Sequence, residues 1–534
     1  MRLLYVIICL LLGLQGHTQN SIIPAPQELT TESGQFMLTD KTTIKISGSE
    51  NEQANYLAKI LESGFGNQPA IVKGNKIKQE QTIILQINSS LKNSLGEEGY
   101  KLVITPKTIV IEGGTDTGLF YGIQTLRHIL PPDFESKANP EQKVALPALT
   151  ITDKPRFKWR SFMLDEARHF KGIVEVKRLL DQMALLKMNR FHWHLTDDQG
   201  WRIEIKKYPR LTQIGSIRKD TQTSRKSEER TGRSHQGFYT QEQIKEVVNY
   251  AQDRHIQIVP EIEMPGHAMA AIAAYPWLGS LGTTVEVSET FGKLEDSFNI
   301  SNPKVVDFLK DVLREVFQLF PGKVVHIGGD EVDYSAWENS EKIQKMMKKQ
   351  HIDSPVDLQI SFTNTMSNFI DDSGKRMMGW NEILGDDIHQ IGNEEVKQTL
   401  AKSAIVHFWK GDLQLINKAV SKGYDVVNSN HWDTYLDYTY KRLPLEKSYD
   451  FDPIPEGLDE KYHHKILGLG TQMWSEWIPT VEQMHQKIFP RLAAYAEVGW
   501  TSPSQKNYQH FLDALETLKL RWNHSDISYG QKED

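Results

Sequence analysis

The sequence predicts a (β/α)8 TIM barrel, an α/β fold, preceded by a small α+β domain, and three observations carry the expectation. From residue 160 onward, eight short apolar β-runs alternate with amphipathic helical segments. That alternation is the signature of parallel strands joined by crossover helices. The length, 534 residues, suits a barrel with a smaller partner domain better than one ordinary domain. Polar and aromatic residues also gather at the C-terminal ends of most β-runs, where such barrels build their sites. A doubly wound open sheet is the structural alternative, but no glycine-rich strand-to-helix fingerprint supports it.

Composition narrows the class. Hydrophobic residues are 39% and charged residues 25%, and mean hydropathy is −0.48, an ordinary globular balance rather than a membrane or disordered one. A net charge of −7 leaves no basic excess for nucleic acid. One cysteine excludes a disulfide framework and a thiolate metal cluster.

Along the chain, residues 1–16 carry one charge, Arg2, and then an apolar run from Leu3 to Leu14. The run is short for a membrane span and fits a signal peptide cleaved between Gly16 and Gln19. Cys9 lies in it, so the mature protein is expected to be thiol-free. It is also expected to be exported, periplasmic, extracellular or at the cell surface, bacterial, and without a transmembrane segment once the leader is removed. The Asn-x-Ser/Thr matches at Asn88, Asn299 and Asn523 are read as chance.

Residues 82–87 and 108–112 read as strands, and 118–130 as a helix stopped by Pro131-Pro132. A polar, proline-flanked stretch at 131–147 marks the domain join. The expected division is a signal peptide at 1–19, an N-terminal α/β domain at 20–150, the barrel at 151–510, and a tail or helix at 511–534. The barrel strands are expected at 160–164, 191–195, 256–261, 324–327, 376–380, 404–409, 425–428 and 467–473. Helices are clearest at 174–187, 241–254 and 303–320, the last opening on Ser301-Asn302-Pro303, a cap followed by proline. Residues 216–236 form a polar insertion, read as a solvated loop.

The strand ends carry Asp165 and Arg168, His192 to Asp198, Glu261 to His267, His326 to Glu331, Trp380 to Glu382, Trp409, Asn428 to Asp437, and Trp474 to Glu476. The sharpest stretch is His326-Ile-Gly-Gly-Asp330-Glu331, where two glycines permit a tight turn before adjacent acids. Neighbouring carboxylates push one proton affinity up, as acid catalysis requires, although such a pair also caps helices. Trp380, Trp409 and Trp474 offer flat apolar faces suited to a sugar ring, with Arg168, Asp437 and Glu476 placed for its hydroxyls. His192-Trp-His194 has metal-ligand spacing, but hydrogen bonding within the barrel explains it better. A metal-dependent amidohydrolase and a catalytically silent carbohydrate-binding protein stand as alternatives.

These motifs resemble family 20 glycoside hydrolases, the β-N-acetylhexosaminidases, over residues 21–510. The resemblance rests on Asp165-Glu-Ala-Arg168-His-Phe, Phe191-His-Trp-His-Leu-Thr-Asp197-Asp198-Gln-Gly-Trp, Glu261-Ile-Glu-Met-Pro-Gly-His267 and His326-Ile-Gly-Gly-Asp330-Glu331. Gly379-Trp380-Asn-Glu382, Tyr435-Leu-Asp437 and Met473-Trp474-Ser-Glu476 complete it. It implies a retaining exo-hydrolase, without cofactor or metal, acting on glycans with terminal β-linked N-acetylglucosamine or N-acetylgalactosamine. The implied chemistry is substrate-assisted, an exception to the two-carboxylate scheme. Glu331 is the implied general acid/base, and Asp330 orients the 2-acetamido group. Tyr435 holds the acetamide oxygen, and Trp380, Trp409 and Trp474 wall the pocket. Arg168, Asp437 and Glu476 bind hydroxyls, while Asp197 and His267 form a supporting relay. Chain-specific loops at 216–236 and 284–297 are placed to act on the substrate beyond the first sugar.

Overall fold

A computed structural model of the chain describes residues 21–48, 51–74, 81–292, 294, 296–385 and 400–530. The expected leader and Cys9 lie outside them. Among the described residues, no helix is long and apolar enough to cross a membrane.

The N-terminal unit is one seven-stranded sheet. Its strands are β1 (Glu28–Leu38), β2 (Thr43–Ile46), β3 (Ile71–Lys73), β4 (Thr82–Ile87), β5 (Tyr100–Ile104), β6 (Thr108–Gly113) and β7 (Val144–Asp153). They are ordered β1-β7-β5-β6-β4-β2-β3. The helix Asp116–Ile129 buries nearly its whole length and packs on β5 and β6. The sheet extends past the expected join at 131–147 and the expected limit at 150. Pro147, which reads as a breaker, pairs with Gln35 beside an irregularity in β1 where the register shifts. A bulge of that kind tolerates a residue without an N–H. Asp153, ending β7, accepts hydrogen bonds from Trp500 Nε1 at 2.9 Å and Lys187 Nζ at 3.0 Å. Those bonds tie the sheet to the second unit.

That second unit is a closed barrel of eight parallel strands. In chain order they are Trp159–Asp165, Arg190–His194, Gln257–Glu261, Val324–His326, Arg376–Trp380, Ile405–Phe408, Asp425–Asn428 and Ile466–Met473. The helix Pro303–Leu319 starts as expected, with Asn302 accepting from Lys304 N at 3.1 Å and proline at the first turn. Its buried Val305, Phe308, Leu309, Val312, Leu313, Val316 and Leu319 follow the helical period, so one face packs inward. The closing helix, Tyr508–His524, begins within the expected barrel span. It docks Trp522 Nε1 on Gln182 at 3.0 Å, against the helix that follows the first strand.

Period-two alternation layers the barrel interior. Trp159, Val259, Val324, Met378, Ile405 and Val427 form an apolar plug. Two residues further along four of those strands come Glu261, His326, Trp380 and His407, all buried. The interior therefore turns from apolar to ionisable toward the strand C-termini, where the candidate site begins.

Candidate active site

The polar layer is organised around Glu261, at the end of the third strand. His194 Nδ1 reaches its Oε2 at 2.5 Å, His192 Nε2 lies 3.0 Å from the same oxygen, and His326 Nδ1 lies 2.8 Å from Oε1. His192 and His194 thus project to one side of their strand onto a shared carboxylate. Burial would discharge His194, but Glu261 and Asp197 pull its pKa up to about 10. Burial holds His192 down to about 4, against Glu261. His192, Glu261 and His326 bring ligand atoms within 4.8 Å of one another, as metal sites do. Together the three side chains form a compact, buried ionisable floor beneath the cavity.

Above this floor, His194 Nε2 meets Asp197 Oδ2 at 2.9 Å. The same oxygen takes Arg168 Nη2 at 2.7 Å, and Asp197 Oδ1 meets His267 Nδ1 at 3.1 Å. Burial alone would protonate Asp197; Arg168 and His267 overcome it and hold the carboxyl well below the usual range. Arg168 is further fixed by Asp165 at 3.3 Å, by Gln199 at 3.0 Å, and by the Trp474 ring, 5.1 Å from its guanidinium carbon. Burial also opposes the charge on His267, yet Asp197, Asp198 and Asp330 raise its pKa well above the ordinary value.

The fourth strand delivers the adjacent acids. Gly328 and Gly329 take φ of +65° and +93°, and Glu331 takes +49°. A side chain at Gly328 would also run into the carboxylate of Glu263, so the glycine is required for space as well as for turning. His267 Nε2 stands 3.8 Å from Asp330 Oδ2. His267, Asp330 and Glu331 place ligand atoms within 4.8 Å of one another. Burial pushes Asp330 up to about 6, with His267 opposing and Glu331 and Glu261 reinforcing. Its Oδ1 is buried and carries no hydrogen bond. Glu263 is raised well above its usual value by burial, Asp330 and Glu261.

Opposite stands an aromatic wall. Trp409 lies parallel to Tyr435, with centroids 6.2 Å apart, and Tyr435 is 6.0 Å from Trp474. Trp409 Nε1 donates to Glu382 at 2.9 Å. Burial, with Asp330 adding, lifts Glu382 to about 8, and the Trp409 bond opposes the rise. Asp437 is raised to about 7 by burial and then by Glu476, and its Oδ1 also carries no hydrogen bond. Arg168, Asp197, His267, Asp330, Glu331, Trp409, Tyr435, Asp437, Trp474 and Glu476 all line one cavity. Ten of the eleven residues expected at the site are therefore brought together. Trp380 does not line the cavity: 1% exposed, it stacks on His407 at 4.2 Å and touches Trp409 and Trp474 from behind.

The cavity also includes Glu263, Tyr438, Trp477 and Arg225, which sequence reasoning did not single out. Glu263 lies inside a quoted motif, and Tyr438 and Trp477 each follow a quoted motif acid, which is a usable signal. Arg225 sits in an aperiodic insertion, and nothing local announces where its side chain reaches.

A carboxylate pair held against a cationic relay, facing an aromatic chamber, is the equipment of a glycoside hydrolase. Comparison with known proteins agrees. The sequence profile of the Glycosyl hydrolase family 20 catalytic domain matches residues 157–503, and that of the family's domain 2 matches residues 19–154. The chain belongs to glycoside hydrolase family 20. It is 36% identical to a beta-hexosaminidase of Porphyromonas gingivalis, over 98% of this chain and 67% of that protein. A beta-hexosaminidase of Vibrio furnissii is 33% identical over 90% of this chain and 76% of its own length. Among solved structures, an exo beta-N-acetylglucosaminidase from Vibrio harveyi, in complex with N-acetylglucosamine, superimposes with a TM-score of 0.82 at 31% identity. It covers 97% of this chain and 79% of that one. A beta-N-acetylhexosaminidase from Bacteroides fragilis gives 0.79 at 30%, covering 96% and 97%.

Proposed function

We propose that this glycoside hydrolase is an exo-acting, retaining β-N-acetylhexosaminidase that uses its substrate's own acetamide as nucleophile. The observation that carries the reading is the buried, unbonded Oδ1 of Asp330, in a chamber shared with Tyr435, Trp409 and Trp474. A buried acceptor without a donor is costly, and an acetamide N–H supplies one. Asp437 Oδ1 offers the same to a sugar hydroxyl.

In the proposed reaction the acetamide oxygen attacks the anomeric carbon as Glu331 protonates the departing glycosidic oxygen. The product is a cyclic oxazolinium ion. Asp330, charged, orients the acetamide N–H and stabilises the positive charge that develops on it. Tyr435 hydrogen-bonds the acetamide oxygen. Glu331 then takes a proton from water as that water opens the ring, so two inversions leave the configuration retained. Arg168, Asp437 and Glu476 hold ring hydroxyls, and Trp474 supports the sugar's apolar face. Asp197 and His267 keep a positive charge beside both acids. The charged-then-apolar start supports an exported enzyme, and the beta-hexosaminidase relatives support action on glycans with terminal β-linked N-acetylglucosamine or N-acetylgalactosamine.

The test compares nitrophenyl N-acetyl-β-glucosaminide with nitrophenyl β-glucoside. The N-acetyl substrate should be preferred by at least about 10³-fold in kcat/KM, since a tethered nucleophile is worth several kcal/mol. Comparable rates would remove the acetamide from the mechanism.

A further inference from the structure

Beside the inner chamber lies a second one, which shares Arg168, Arg225, His267, Glu331, Glu476 and Trp477 with it. Gln222, Phe291 and Gly292 complete its wall. Glu331 lines both chambers. If Glu331 protonates the leaving oxygen, the leaving group must emerge on its side, and the outer chamber is the space that receives it.

Two insertions build the outer wall. Residues 216–236 fold back on themselves, Ile217–Arg218 pairing antiparallel with His235–Gln236. Gln222 stitches this hairpin to the neighbouring loop: its N–H donates to Glu289 O at 2.9 Å, and its Oε1 accepts from Phe291 N at 3.3 Å. Phe291 packs edge-on against Trp477 at 4.9 Å. Gln199 donates to Thr290 O at 2.7 Å while accepting from Arg168, so the wall continues into the inner relay. The insertion expected to be a solvated loop is thus anchored against the site.

Arg225, in the turn of that hairpin, lines both chambers. Elsewhere on the hairpin, Lys219 is paired with Glu286, and Arg230 lies 3.8 Å from Glu228. Arg218 is buried and bonds Thr221 at 2.7 Å. Arg225 makes no side-chain hydrogen bond or ion pair with any described residue. The other ionisable groups facing the outer chamber are the acids Glu331 and Glu476 and the cations Arg168 and His267, both already bound to Asp197. With two acids set against two cations already paired to Asp197, Arg225 is the cation left to meet an anionic group in this chamber.

Resting on the hexosaminidase reading, we propose that the outer chamber binds the sugar on the leaving-group side and that Arg225 pairs with an anionic substituent on it. The ligand class is an acidic saccharide, bearing a carboxylate or a sulfate, β-linked to the terminal N-acetyl sugar. A guanidinium fork matches either oxyanion in a bidentate manner. Trp477 supplies apolar area for the ring. Arg225 acts as a specificity residue and takes no part in the bond-breaking step.

The experiment measures kcat/KM for three disaccharides with N-acetylglucosamine at the non-reducing end. One is neutral chitobiose, one ends in glucuronate, and one ends in a sulfated N-acetylglucosamine. Arg225→Gln should lower the acidic-to-neutral ratio by about tenfold, chiefly through KM, and Arg225→Lys should recover part of it. Lys226→Gln, removing a neighbouring exposed charge, should leave the ratio within twofold of wild type. A fall with glucuronate alone assigns the carboxylate, and a fall with the sulfated sugar alone assigns the sulfate. Normal cleavage of chitobiose with a change below threefold for both acidic substrates would overturn this proposal only. Failure of the wild-type enzyme on chitobiose would overturn the hexosaminidase reading beneath it.

Discussion

Asp197 and Asp330 are both buried aspartates, both within 4 Å of the same imidazole, yet they differ widely in proton affinity. Asp197 has Arg168, His194 and His267 around it, and its carboxyl stays ionised. Asp330 has only one face of His267, with Glu331, Glu261 and Glu263 crowding it, and is raised to about 6. Burial pushes both the same way. The number of cations in contact decides between them. One side of the chamber is a neutralised relay that holds still, and the other stores unfavourable charge that a cationic transition state would relieve.

If stored charge is what catalyses, removing it should slow the reaction more than it harms the fold. Asp330→Asn should reduce kcat by about 10²–10³-fold, the range for losing one preorganised electrostatic group. Its thermal unfolding should be unchanged or slightly improved, because a buried charge has been removed. A variant that loses activity only in proportion to lost folded protein would erase the distinction between the two sides.

The relay side predicts the reverse. Asp197→Asn leaves Arg168 and His267 facing one another without their shared anion. Stability should fall by about 3 kcal/mol, the low end for breaking a buried ion pair, because Asp165 and Asp198 still compensate in part. Chemical denaturation measures it. A loss below about 1 kcal/mol would mean that the relay is not held together by charge.

How much of this contrast was legible beforehand varies with how local its cause is. Residues 376–380 and 425–428 occupy strands with the expected limits, and the other six β-runs shift by a residue or so. Short, wholly buried parallel strands are continuous apolar runs, which a sequence displays directly. The strand-end acids and tryptophans were equally visible. Other features arise from contacts between distant segments. Pro147 lies inside β7 because a bulge in β1 accommodates it. Trp380 ends its strand as expected, but His407 from the next strand draws its ring away from the cavity. Glu263 matters because Gly328, in the turn after the next strand, leaves room for it. Arg225 joins the site through a hairpin whose anchor, Gln222, is bonded across to Glu289 and Phe291. None of these contacts has a periodic or spacing signature.

The smallest effect sharpens the comparison most, because it separates charge from shape. Glu382 belongs to the charge-storing side, where burial and Asp330 raise it to about 8. Its ordinary value is near 4.5, so between those limits the folded protein holds a proton that the unfolded chain releases. Stability therefore declines as pH rises through that window, and the penalty is complete above about pH 8. Glu382→Gln keeps an oxygen for Trp409 Nε1 and removes the titration. The variant should lie closest to wild type near pH 4 and be the more stable of the two at pH 9. Denaturation at both pH values distinguishes the causes. A gain independent of pH would point to packing, whereas a loss at pH 9 would show that the ionised carboxylate is stabilised at this position and that the aromatic side stores no charge at Glu382.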